Sequence, residues 1–173
     1  KGMDYWKFVE DYETFFYLLD KLRSTDKLIG YDIETTGISM NNMSRHNNWF
    51  KNTDKDCDVL VGFVFGIKGE EERYYIPLRH TNNTFKNLFV DFSDDNFYNK
   101  VLKDIDTFHY SSDVKNNIKQ YVENMKEGQS VYDVPYFGDF ICMGYMKEVL
   151  ENKKICSFNS SFEWKANWIY HIN

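Results

Sequence analysis

The sequence predicts an α/β fold, a mixed sheet flanked by helices. Short apolar runs of strand composition come early in the chain, helical periodicities follow, and a last apolar run leads into one more helix.

The elements follow in order. Residues 8–23 read as a helix, because Phe8, Tyr12, Phe15, Phe16, Leu19 and Leu22 fall on one face. Residues 28–34, Leu-Ile-Gly-Tyr-Asp-Ile-Glu, read as a strand stopped by Thr35-Thr36-Gly37. Residues 41–58 are polar and Asn-rich, the composition of a loop. The run from Val59 to Ile67 is a continuous apolar strand, Lys68 to Glu71 a hairpin turn, and Arg73 to Leu78 the returning strand, with Pro77 near its end. Helical periodicity then recurs around 97–106, 113–126 and 136–151. Residues 155–158 form a short apolar strand, and Ser160 to Ile172 a helix with tryptophans on one side. Three early strands, a helical stretch and a further strand fit a sheet of the ribonuclease-H-like type, mixing antiparallel and parallel pairs.

A chain of 173 residues, 42% hydrophobic and 18% aromatic, is large enough for one domain with a core of its own. No apolar run is long enough to cross a bilayer, so no membrane partner is expected. The start, Lys1 to Trp6, lacks the basic-then-apolar order of a secretion leader and reads as an internal cut or an expression scar. A net charge of −6 argues against a general nucleic-acid coat, which should be basic, but not against an enzyme handling a few nucleotides at an acidic metal site. Cys57, Cys142 and Cys156 are odd in number and show no C-x-x-C spacing, so reduced, mostly buried thiols are expected.

Asp32 and Glu34 are two apart on the first strand and so share a face. Two carboxylates on a buried strand face repel and lose hydration, and a divalent cation between them removes both penalties. Oxygen ligands of this kind suit Mg²⁺ or Mn²⁺. A D-x-E pair by itself also fits a solvated edge strand.

The wider context narrows this. Ile29-Gly30-Tyr31-Asp32-Ile33-Glu34-Thr35-Thr36-Gly37-Ile38 resembles the first exonuclease motif of the DEDD superfamily. The stretches Val61-Gly62-Phe63-Val64-Phe65-Gly66 and Tyr74-Tyr75-Ile76-Pro77-Leu78-Arg79-His80 resemble the proofreading 3′–5′ exonuclease domain of family A (DNA polymerase I type) DNA polymerases. The second motif of that family, an apolar strand followed by N-x-x-F/Y-D, is similar to Ile155 to Lys165, with Asn159 and Phe162 in place and Glu163 where Asp is usual. A glutamate there reaches one methylene further, so it could still hold a metal-bound water or could move the second metal and slow the reaction. The third motif, Y-x-x-x-D or H-x-x-x-x-D, has no match between Lys1 and Asn173 and is expected beyond the last residue. The resemblance spans about 28–80 and 153–173; residues 81–152 read as a divergent helical insertion within one C-terminally incomplete domain.

The resemblance implies hydrolysis of 3′-terminal nucleotides with two Mg²⁺ or Mn²⁺ ions. Asp32 would bridge both ions, Glu34 would bind the one carrying the water, and Glu163 would bind the other. Thr35, Gly37 and Ile38 would lie by the terminal nucleotide, with Ile38 wedged between bases. Asn159 and Phe162 would touch the strand. His80 has two readings, a phosphate contact or a solvated hairpin end, and Trp6, Trp49, Trp164 and Trp168 read as core or interface. The implied partners are the single-stranded 3′ end of DNA and the polymerase domain of the same parent chain. Two alternatives stay open: a weakly active or inactive nucleic-acid-binding domain, and a stand-alone DEDD ribonuclease. A coding bias toward Asn and Lys, 17 Lys-or-Arg positions of 21 being Lys, suits an AT-rich genome, such as that of a plastid-type (apicoplast) replicative polymerase or a phage.

Overall fold

The computed structural model describes residues 5–37 and 59–157. It is α/β, with a five-stranded mixed sheet and, among the described residues, four helices, compatible with a ribonuclease-H-like fold.

The chain opens on strand β1, Trp6–Phe8, and helix α1, Tyr12–Ser24. Strands β2 (Ile29–Thr35), β3 (Leu60–Ile67) and β4 (Arg73–Pro77) follow. Helices α2 (Asp95–Ile105), α3 (Ser112–Lys126) and α4 (Gly138–Asn152) come next, and β5, Ile155–Cys156, closes the described part. The sheet order is β1-β4-β3-β2-β5. The pairs β2–β3 and β3–β4 are antiparallel, while β1 runs parallel to β4 and β5 parallel to β2. Position matters for the site: β3 pairs with β2 along its length, while β5 pairs only with Ile29 and Gly30 at its start, so the register with β3 holds the backbone at Asp32 and Glu34 and the pleat aims their side chains.

Three helices start on side-chain caps. Asp11 accepts from the Thr14 amide at 2.8 Å, Asp94 from Phe97 at 2.8 Å and Ser111 from Val114 at 3.3 Å. The Asp11 cap also corrects the expected helix over 8–23. Its extended backbone (φ −136°, ψ 163°) ends a strand segment and begins α1 at Tyr12. Phe8 therefore belongs to β1, whose pairing with β4 the Val9 amide extends by donating to the Tyr75 carbonyl at 2.8 Å. A three-residue strand is too short to carry a period of its own, and only the partner strand creates it.

The two faces of the sheet differ. Ile29, Tyr31, Ile33, Phe63, Phe65, Ile67, Tyr74 and Ile76 are buried, in one cluster with Phe15, Leu18, Leu19 and Leu22 of α1, Val101 of α2, Ile118 of α3 and Ile141 of α4. Residues 81–152 thus supply much of the core. The opposite face carries Gly30, Asp32 and Glu34 on β2 and Val64 and Gly66 on β3, none of them buried.

One buried ion pair ties sheet to helices. Arg79, just past β4, donates to the Asp139 carboxylate in the first turn of α4, and both side chains are fully enclosed. The guanidinium lies 4.5 Å from the centre of the Tyr136 ring, and the Tyr136 hydroxyl donates to the Leu78 carbonyl at 2.7 Å. Cys142 is buried, as expected of the thiols, and burial pushes it well up; Cys156 is exposed, against expectation, because β5 presents it on the open side. Cys57 lies outside the described residues.

Candidate functional site

The antiparallel register of β2 and β3 builds the site. Tyr31 pairs with Phe65 and Ile33 with Phe63, which commits the odd-numbered residues of β2 to the core. Asp32 and Glu34 are therefore sent to the other face, opposite Val64 and Gly62. Asp32 is half-buried and Glu34 exposed, so the buried face expected for the pair is corrected: Tyr31 before them and Ile33 between them compete for the core and win it.

The two carboxylates interact. Partial loss of water around Glu34 raises it above its ordinary value, and the Asp32 charge raises it further. Asp32 Oδ1 accepts from the Ile33 amide at 3.0 Å, which orients its carboxylate on the strand.

Immediately after Glu34 the ladder slips. Glu34 pairs with Gly62 but Thr35 pairs with Leu60, a bulge that leaves Val61 without a ladder partner. The Val61 carbonyl instead accepts from Leu78 at 2.9 Å and Arg79 at 3.3 Å. Thr35 donates its hydroxyl to the Gly37 carbonyl, and Thr36 exchanges bonds of 3.0 Å with Val59. The Thr35–Gly37 turn is thus a folded corner beside the carboxylates. Thr35 and Gly37, two of the residues expected by the terminal nucleotide, form this corner. Ile38, Asn159, Phe162 and Glu163 lie outside the described residues, as do Trp49, Trp164 and Trp168.

On the same face, Tyr75 and His80 form a pair that sequence reading missed as a unit. The Tyr75 hydroxyl and His80 Nε2 share a hydrogen bond of 2.6 Å. Burial, and then the Glu34 charge, push the Tyr75 phenol up to about 12. Burial lowers His80, favouring its neutral form. His80 is thus not the solvated hairpin end of one expectation. Its amide donates to Asn87 Oδ1 at 2.8 Å, and Asn87 Nδ2 donates back to its carbonyl at 2.7 Å. The motif Tyr74 to His80 was the available signal; the clasp by Asn87 has none in sequence.

Oxygen donors on one strand face, already repelling each other, fit a hard divalent cation in chemistry. They supply two protein ligands; among the described residues no group of three or more His, Cys, Asp or Glu side chains converges on one point. A hollow of about 590 Å³ between α1, α2 and α4 holds acids too, but these stand beside cations, Lys100 at 3.0 Å from Asp104, Lys147 on Glu151, and Arg23 at 3.9 Å from Asp20 and 3.4 Å from Glu148.

Fold and site together define an α/β domain with a carboxylate pair on the exposed face of strand β2. No protein-family model, no curated protein and no solved structure matches this chain.

Proposed function

We propose that this chain is a 3′–5′ exonuclease domain of a DNA polymerase, hydrolysing 3′-terminal nucleotides with divalent cations. The observation that carries the reading is the Asp32–Glu34 pair, held on an exposed face by strand β2 and at mutual electrostatic cost. The resemblance of residues 28–80 to family A proofreading domains supports it, and so does the folded corner at Thr35 and Gly37.

Asp32 and Glu34 would hold Mg²⁺ or Mn²⁺, with Glu163 as a further ligand. When bound, such ions acidify the attacking water and stabilise charge on the leaving 3′ oxygen. The chain's own residues would do the positioning. Asp32 and Glu34 would hold the ions against β2, Thr35 and Gly37 at the folded corner would receive the terminal nucleotide together with Ile38, and Asn159 and Phe162 would contact the strand. The polymerase domain of the parent chain and single-stranded DNA are the proposed partners, and a plastid-type organelle the proposed compartment.

The test is digestion of a 3′-mismatched single-stranded DNA in Mg²⁺ by the natural chain. Metal-dependent release of nucleoside monophosphates, abolished by Asp32→Asn with Glu34→Asn, is the expected result. Binding without digestion would favour a nucleic-acid-binding domain, and preference for RNA a ribonuclease.

A further inference from the structure

A ring-lined hollow of about 460 Å³ crosses the exposed face, with Glu34 at one side and Trp6 and Phe8 of β1 at the other. That is within the usual size of small-ligand pockets, about 300–1,000 Å³. Phe85 organises its wall, with its ring centre 5.0 Å from Phe8, 5.4 Å from Tyr75 and 4.8 Å from His80. Phe85 is brought there by the loop that Asn87 clasps to His80. The Tyr75–His80 hydrogen bond supplies a polar group within the apolar wall.

We infer that this hollow is a nucleobase-binding subsite, taking a base of the strand whose phosphodiester lies at Asp32 and Glu34. The inference rests on the proposed exonuclease reading for its substrate. Three features select a base over other ligands. Aromatic walls stack on a flat heterocycle irrespective of its sequence. The Tyr75 hydroxyl and His80 imidazole can donate to or accept from a base edge. Among the described residues no lysine or arginine lines the hollow, so nothing there attracts a phosphate and a neutral ring is the suitable occupant. Glu34 also lies in both places, so a base in the hollow and a phosphodiester at the carboxylates are neighbours on one nucleotide strand.

The test uses a short single-stranded oligodeoxynucleotide with 2-aminopurine at its 3′ end, titrated with the natural chain in EDTA. Stacking quenches the probe, and EDTA separates base binding from digestion. Wild type should quench, thymidine should compete, and inorganic phosphate should not. Phe85→Leu, and separately Trp6→Leu at the sheet edge, should weaken binding at least about fivefold, the lower end of what one base–aromatic stack contributes. Circular dichroism checks that each variant folds. No quenching by wild type, as when another segment of the chain fills the hollow, or quenching by both variants as strong as that by wild type, overturns the inference. Ring-dependent quenching without any Mg²⁺-dependent digestion leaves the subsite standing and removes the exonuclease reading. Digestion with ring-independent binding does the reverse.

Discussion

The phenol of Tyr75 lies across Gly62, so closely that a β-carbon at position 62 would collide with the ring and its hydroxyl. Gly62 is the residue paired with Glu34 across β2 and β3. The absence of a side chain at 62 therefore lets a tyrosine from β4 reach over β3 toward the carboxylate, and the buried state of Gly62 follows from that cover.

Gly62→Ala should destabilise the fold by about 1–3 kcal/mol, the usual cost of overpacking. Tyr75→Leu in the same chain should recover part of the loss, because the shorter side chain vacates the space. Urea unfolding of the two single variants and the double variant measures the coupling, and strict additivity would show that ring and glycine do not meet.

Asp139→Ala should cost about 3–5 kcal/mol, since it leaves the Arg79 charge buried without its carboxylate. Replacing both partners, Arg79→Met with Asp139→Leu, should cost less than the single change. Denaturant midpoints decide this, and a double variant weaker than Asp139→Ala would refute it.

Tyr121→Phe tests a backbone contact. The Tyr121 hydroxyl donates at 2.6 Å to the carbonyl of Phe89, a buried residue held at φ 59°. A left-handed phenylalanine is unfavourable, so the bond that fixes it matters more than usual. Loss of about 1–3 kcal/mol is expected from the unsatisfied carbonyl, read by thermal unfolding.

Glu34 should make stability pH-dependent. Its folded value is raised above the ordinary 4.5, so the native state holds the proton more tightly than the unfolded chain. Its contribution to stability is then fully present below about pH 4.5 and is lost as pH rises through the folded value. Glu34→Gln should remove that loss. Asp32→Asn should only reduce it, because loss of water around Glu34 outranks the Asp32 charge. Carboxyl NMR titration of Glu34 in wild type and Asp32→Asn reads this directly.

Mg²⁺ should reverse the same repulsion. At a hundred times its dissociation constant it should stabilise wild type by about 2.7 kcal/mol, a rise in Tm of about 5–10 °C for a chain of this size. Asp32→Asn with Glu34→Gln should show no rise in a thermal-shift measurement.

The larger elements were legible because their periods are local. Leu19 and Leu22 mark the core face of α1, and the apolar run from Leu60 to Ile67 has strand composition throughout. Strand β1 was not legible: Trp6-Lys7-Phe8 becomes a strand only by pairing with Arg73, Tyr74 and Tyr75. For the site, the D-x-E spacing showed that Asp32 and Glu34 share a face, but not which face.

By itself the sequence determined the α/β class, the order of most elements and the two carboxylates on one strand, since each depends on neighbours along the chain. Tertiary structure alone decided that those carboxylates face away from the core, because that follows from Tyr31 and Ile33 packing opposite Phe65 and Phe63. It alone joined Tyr75 to His80, set Phe85 against Phe8, and buried Arg79 with Asp139. These contacts join segments far apart in the chain, and their geometry comes from strand register, one bulge and a clasped loop, none of which has a local period to read.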